Sequence, residues 1–132
     1  MEKEERYLRV ELALYDYSDE CFKLLESMPK PFEIKLKGEQ FSKRKNDLYE
    51  WNYIEYQFIS KSEYLPAVFD EFCEFLRENM DSLLEFKKVD KSYIRVSIYM
   101  ILNGCMMSYF IYSDLLGMLV KLNCDILIDA YS

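Results

Sequence analysis

Tyr7-Leu8-Arg9-Val10-Glu11-Leu12-Ala13-Leu14 sets the architecture of this chain. Leu8, Val10, Leu12 and Leu14 alternate with Tyr7, Arg9 and Glu11, and a period of two assigns the two sets to opposite faces of a strand. One face belongs to a core and the other is partly polar. Downstream, Ser18 offers an N-cap with Asp19 and Glu20 in the first turn, and Cys21, Leu24, Leu25 and Met28 repeat at helical spacing. The pattern predicts a short amphipathic helix that Pro29 and Pro31 terminate.

Phe32, Ile34 and Leu36 alternate with Glu33, Lys35 and Lys37, which predicts a second strand running into Gly38-Glu39. The polar stretch Ser42 to Asp47 reads as a loop. A third strand, Tyr49 to Ile59, is rich in strand formers, but its aromatic phase changes near Tyr53 and Ile54, as a bulge or burial on both faces would cause. Its single Trp51 should be buried or at an interface.

Pro66 suits the first turn of a helix, and Leu65, Phe69, Phe72, Leu76, Met80 and Leu83 follow at three- and four-residue spacing, ending near Lys87-Lys88. Ile94, Val96, Ile98, Met100 and Leu102 alternate next. Asn103-Gly104 is a strong hairpin signal, so strand four should turn into an antiparallel strand five over about Met106 to Ile111. Ser113 caps a third helix carrying Leu115, Leu116, Leu119 and Leu122, Asn123 can end it, and Ile126, Ile128 and Ala130 alternate into a last strand. The order βαββαββαβ makes an α+β fold: a mostly antiparallel sheet with about three helices packed on one face.

The layout and three local features resemble a bacterial family known as domain of unknown function 4279. These are the Gly38-Glu39 pair after the second strand, the aromatic strand around Trp51, and the ending Leu122-Asn123-Cys124-Asp125-Ile126-Leu127-Ile128-Asp129-Ala130-Tyr131. The resemblance runs from Tyr7 to Tyr131 and implies an α+β fold and a small bacterial protein. It brings no activity and no catalytic residue. The Tyr-dense third strand and Met28-Pro29-Lys30-Pro31 depart from the family pattern.

With 132 residues, 51% of them hydrophobic, the chain is sized for one domain spanning 1–132. Every apolar run is interrupted by polar or charged residues short of a membrane span, and the charged start Met1 to Arg6 lacks signal-peptide character, so a cytoplasmic protein is expected. Cys21, Cys73, Cys105 and Cys124 are far apart in apolar patterns and read as free buried thiols rather than a zinc site. The sequence has no His, which excludes Ser-His-Asp, Cys-His and His-metal chemistry. Isolated Gly38, Gly104 and Gly117 form no nucleotide-binding fingerprint, and no cofactor is indicated. Asp125 and Asp129, four residues apart on a strand, are separated by roughly 13 Å, too far for a retaining-glycosidase carboxylate pair.

The net charge is −7, a field that disfavours nucleic acid and favours a basic protein partner. Glu71, Glu74, Glu78, Asp81 and Glu85 form an acidic stripe on the long helix, an arrangement helix stability alone would not select. A solvated face is its plainer reading, and a cation held by Glu74 and Glu78 would need further oxygens. Lys35, Lys37, Lys43, Arg44 and Lys45 lie in sequence near Tyr49 and Trp51, but edge-strand protection accounts for them better than nucleic-acid binding. The expected function is a non-enzymatic protein-binding module using the stripe, in its most concrete form immunity-protein-like against a basic toxin. Two alternatives stay open: a ligand pocket or enzyme site around Tyr53, Glu55 and Tyr56, or a subunit that self-associates through an aromatic interface of Tyr49, Trp51 and Tyr53.

Overall fold

In the computed structural model, residues 7–18, 22–39, 48–60, 67–104 and 110–131 are described. The alternation at the start produces β1 (Tyr7–Asp16), whose Leu8, Val10, Leu12 and Leu14 are at most 1% exposed. There follow α1 (Leu24–Ser27), β2 (Glu33–Lys35), β3 (Asn52–Ser60), α2 (Ala67–Lys87), β4 (Tyr93–Ile101), α3 (Ser113–Leu122) and β5 (Asp125–Tyr131). The five strands form one sheet of order β2-β3-β1-β4-β5.

β1 pairs antiparallel with β3 from Leu8↔Ser60 to Asp16↔Asn52, and antiparallel with β4 from Tyr7↔Ile101 to Tyr15↔Tyr93. β2 pairs antiparallel with β3, and β5 runs parallel to β4. These registers align Val10, Leu12 and Leu14 of β1 with Phe58, Tyr56 and Ile54 of β3 and with Ile98, Val96 and Ile94 of β4. That face packs against α2, which buries Val68, Phe69, Phe72, Leu76, Leu83 and Phe86, and α3 adds Leu115, Leu119 and Leu122 to the same core. The opposite face carries the other phase of each strand.

The fold is α+β and mostly antiparallel, but the expected three helices and the order βαββαββαβ are not found. Two helices are substantial, and the first is a single turn. The described helix has Lys23 at its cap position, and Ser18 donates its N–H and hydroxyl to Asp16 Oδ1 and Oδ2, at 3.0 and 2.9 Å. Asp19, Glu20 and Cys21 lie outside the described residues. At the other end Met28 is already extended, as the prolines at 29 and 31 demand.

The described elements run βαββαβαβ. Asn103 and Gly104 do take the left-handed turn conformation, with φ of 54° and 75°. The hairpin partner expected over about Met106 to Ile111 falls mainly at 106–109, outside the described residues, and Phe110 and Ile111 belong to no strand. β4 has both edges filled, by β1 on one side and β5 on the other, so no edge remains along it for a returning strand.

The phase change in β3 is burial on both faces rather than a bulge, because the β1–β3 register is unbroken and Ile54, Glu55 and Tyr56 are consecutively buried. Ser113 is the first helical residue of α3, with Tyr112 at the cap position, whereas Asn123 ends the helix as expected with φ 47° and ψ 46°. Cys73 and Cys124 are free thiols packed half-buried against the core. Cys105, Leu65, Pro66 and the stretch 42–47, expected as a loop, lie outside the described residues.

Candidate functional site

α2 is amphipathic along its whole length, and the spacing that buries Phe72, Leu76 and Leu83 turns a second row away from the sheet. Glu71, Glu74, Glu78, Asp81 and Glu85 are all exposed on that row. Among the described residues an ion pair reaches only Glu85, whose Oε1 lies 2.7 Å from Lys88 Nζ. Arg77 is exposed and directs Nη2 toward Cys73 Sγ at 3.7 Å. The far end of the ridge borders an open groove of about 380 Å³ between α1 and α2, walled by Lys23, Ser27, Asp81, Ser82 and Glu85 over a floor that includes Phe86. The Ser27 and Ser82 hydroxyls meet there at 2.9 Å.

The helix-free face of the sheet carries an aromatic cluster. Tyr15 is its hub, with ring centroids 5.9 Å from Trp51, 5.1 Å from Tyr53 and 5.6 Å from Tyr93. Trp51 is half-buried and also meets Tyr17 edge-on at 6.3 Å. Two of the three residues expected at an aromatic interface, Trp51 and Tyr53, are therefore joined through Tyr15. Tyr49 is half-buried, and its backbone exchanges hydrogen bonds with Gly38 and Glu39.

Beside the rings is a polar network that only the strand register reveals. Glu11 on β1 and Glu55 on β3 are 8% and 6% exposed. The Gln57 amide donates to Glu11 Oε1 at 3.1 Å and to Glu55 Oε2 at 3.0 Å, and the Tyr53 hydroxyl donates to Glu55 Oε1. Arg9 Nε is 2.9 Å from Glu11 Oε1, close enough for an ion pair although its N–H makes no hydrogen bond. The Arg9 guanidinium stacks over Tyr99 at 4.7 Å, and Arg95 donates to the Tyr15 hydroxyl at 2.9 Å. Burial, then the charge of Glu55, pushes the Glu11 carboxyl up to about 7, against the opposing pull of Arg9 and Arg95. Burial and the bond to Glu55 raise the Tyr53 hydroxyl as well. Chemically this is a charge-balanced layer able to hold a proton near neutrality.

Of the three residues considered for a ligand pocket, Tyr53 and Glu55 share this face. Tyr56 points to the helix side and donates to the Pro29 carbonyl at 2.7 Å. Lys35 pairs with Glu33 at 3.1 Å, Lys37 reaches the Tyr17 carbonyl at 3.5 Å, and Lys43, Arg44 and Lys45 lie outside the described residues. Asp125 accepts a 2.7 Å hydrogen bond from the Tyr93 hydroxyl. Among the described residues no group of three or more Cys, Asp or Glu is placed to hold a metal ion, and no helix is long and apolar enough to cross a membrane. Comparison with protein-family models, curated proteins and solved structures gives no match.

Proposed function

We propose that this chain is a cytoplasmic, non-enzymatic protein-binding module that docks a basic partner along the α2 ridge, with an immunity-protein-like role against a basic toxin as its most concrete form. Membership of the domain-of-unknown-function family 4279 belongs to the same proposal. The carrying observation is that Glu71, Glu74, Glu78, Asp81 and Glu85 are all exposed in one row, with a single ion pair to any of them among the described residues. Like charges in adjacent helical rows cost a few tenths of a kcal/mol per contact. A cationic surface offsets that cost and gains association rate from the opposite charge. The Tyr/carboxylate pocket around Tyr53, Glu55 and Tyr56 is the less favoured reading because Glu55 is nearly inaccessible and Tyr56 turns to the helix side, toward the Pro29 carbonyl.

Replacing Glu74, Glu78 and Asp81 together by Lys tests the ridge. Exposed charges contribute within about 0.5 kcal/mol each, so the fold should survive, as a thermal melt will report. Pull-down at low and high salt should show a specific partner of wild type that weakens with ionic strength and is lost on reversal. A partner retained at equal strength by the triple variant removes the ridge from the interaction.

A further inference from the structure

The two edges of the sheet are built differently. β2 is three residues long and bears the Glu33–Lys35 ion pair, a charged and short edge of the kind that discourages pairing. β5 is seven residues long, and Ile126, Leu127, Ile128 and Tyr131 are 45%, 39%, 56% and 58% exposed. It contains no Lys, Arg or Pro, and it is the outer strand of the sheet among the described residues.

The hydrogen-bonding groups of that edge that have no partner among the described residues follow from the β4–β5 pairing. The Tyr131 carbonyl accepts from Leu102 N–H at 2.7 Å, on the β4 side. A residue's N–H and C=O point to the same edge of a strand and alternate along it. Asp125, Leu127, Asp129 and Tyr131 therefore face β4, and Ile126, Ile128 and Ala130 present their backbone groups outward.

We infer that β5 pairs antiparallel with β5 of a second copy of this chain, about a two-fold axis through Ile128, making one continuous sheet with both helix layers on the same side. In this register Ile128 opposes the partner copy's Ile128, and Ile126 and Ala130 oppose each other, so every outward backbone group of β5 is bonded. Asp125 falls opposite Tyr131, and Asp129 opposite Leu127. Centring the pair on Leu127 would set Asp125 against Asp129, a like-charge pair that destabilises a ladder. Edge pairing alone buries little area against the roughly 800 Å² per partner of a standard interface. α3, which links β4 to β5 on the helix side, leaves Leu116 and Val120 45% and 77% exposed and available to extend it.

This interface is separate from the α2 ridge and is tested on the free protein. Sedimentation equilibrium should give twice the mass of one chain for wild type, and Ile128→Lys, which places two ammonium groups at the axis, should weaken the dimer by about tenfold or more. Ile128 is exposed in a single chain, so the variant should keep the circular dichroism spectrum of the folded protein. Ile128→Cys should form an intermolecular disulfide under mild oxidation beyond that of wild type, since directly opposed hydrogen-bonded residues lie about 5.5 Å apart at Cα. Ile126→Cys should not, because the register separates its two copies by roughly 13 Å. A wild type that stays monomeric at 100-fold different concentrations, a dimer undiminished in Ile128→Lys, or equal cross-linking of the two cysteine variants overturns the inference.

Discussion

Glu11 and Glu55 lie diagonally across the β1–β3 ladder and share one hydrogen-bond donor, the Gln57 amide nitrogen, at 3.1 and 3.0 Å. Two buried carboxyls so close favour keeping a proton on one of them.

Stability should accordingly fall with rising pH on account of Glu11. Its carboxyl ionises near 4.5 when unperturbed and is pushed up to about 7 in the fold. The folded chain thus holds the proton more tightly than the unfolded one, so this contribution is complete below pH 4.5 and is lost as pH rises through 7. Glu11→Gln should remove that component, worth about 1 to 3 kcal/mol between pH 4.5 and 8. Urea denaturation of both proteins across that range measures it, and identical pH slopes would exclude Glu11 as the source.

Asn52 should be costly to truncate despite being polar. Its Oδ1 accepts from Lys37 N–H at 2.8 Å and its Nδ2 donates to the Ser18 carbonyl at 2.6 Å, tying the turn after β2 to the end of β1. Asn52→Ala leaves both backbone groups without that partner and should destabilise by about 1 to 3 kcal/mol. Asn52→Asp keeps only the acceptor, and chemical denaturation should place it between wild type and Ala or below both.

Trp51 and Leu76 separate rim from core. Leu76 is fully buried, so Leu76→Ala should cost about 2 to 5 kcal/mol. Half-buried Trp51 contributes edge contacts to Tyr15 and Tyr17, and Trp51→Ala should cost about 1 to 2 kcal/mol. Equal losses in thermal or urea melts would mean that Trp51 is packed as core.

Cys124 should label slowly. Burial raises its thiol above the ordinary range, and its Sγ–H donates to the Leu119 carbonyl at 3.5 Å, so little thiolate is present at pH 8. Mass spectrometry of the Cys124 peptide after timed exposure to a thiol reagent should show labelling at least about tenfold slower than an unstructured peptide thiol. Matching rates would show that the α3–β5 junction opens freely.

Local periodicity made most elements legible. β1, β4 and α2 follow the alternation of Leu8 to Leu14 and Ile94 to Met100 and the spacing of Phe69 to Leu83, because burial of one face imposes the period. Asn103-Gly104 also adopts its turn geometry, yet the strand that occupies the outer edge of β4 comes from β5. Local turn chemistry does not specify which distant strand wins an edge. The acidic ridge was visible because its five carboxylates sit on one helix. The Glu11–Glu55–Gln57 network was not, since its members are on strands far apart in sequence and meet only once the β1–β3 register is set.

The place of β1 in the sheet has a consequence for how the chain is made. β1 is flanked by β3 and β4, both synthesised after it. Translation adds about 5 to 20 residues per second, so the apolar phase Leu8, Val10, Leu12, Leu14 waits several seconds outside the ribosome before Tyr93–Ile101 exists to seal its second edge. During that interval it is the natural segment for a chaperone to hold.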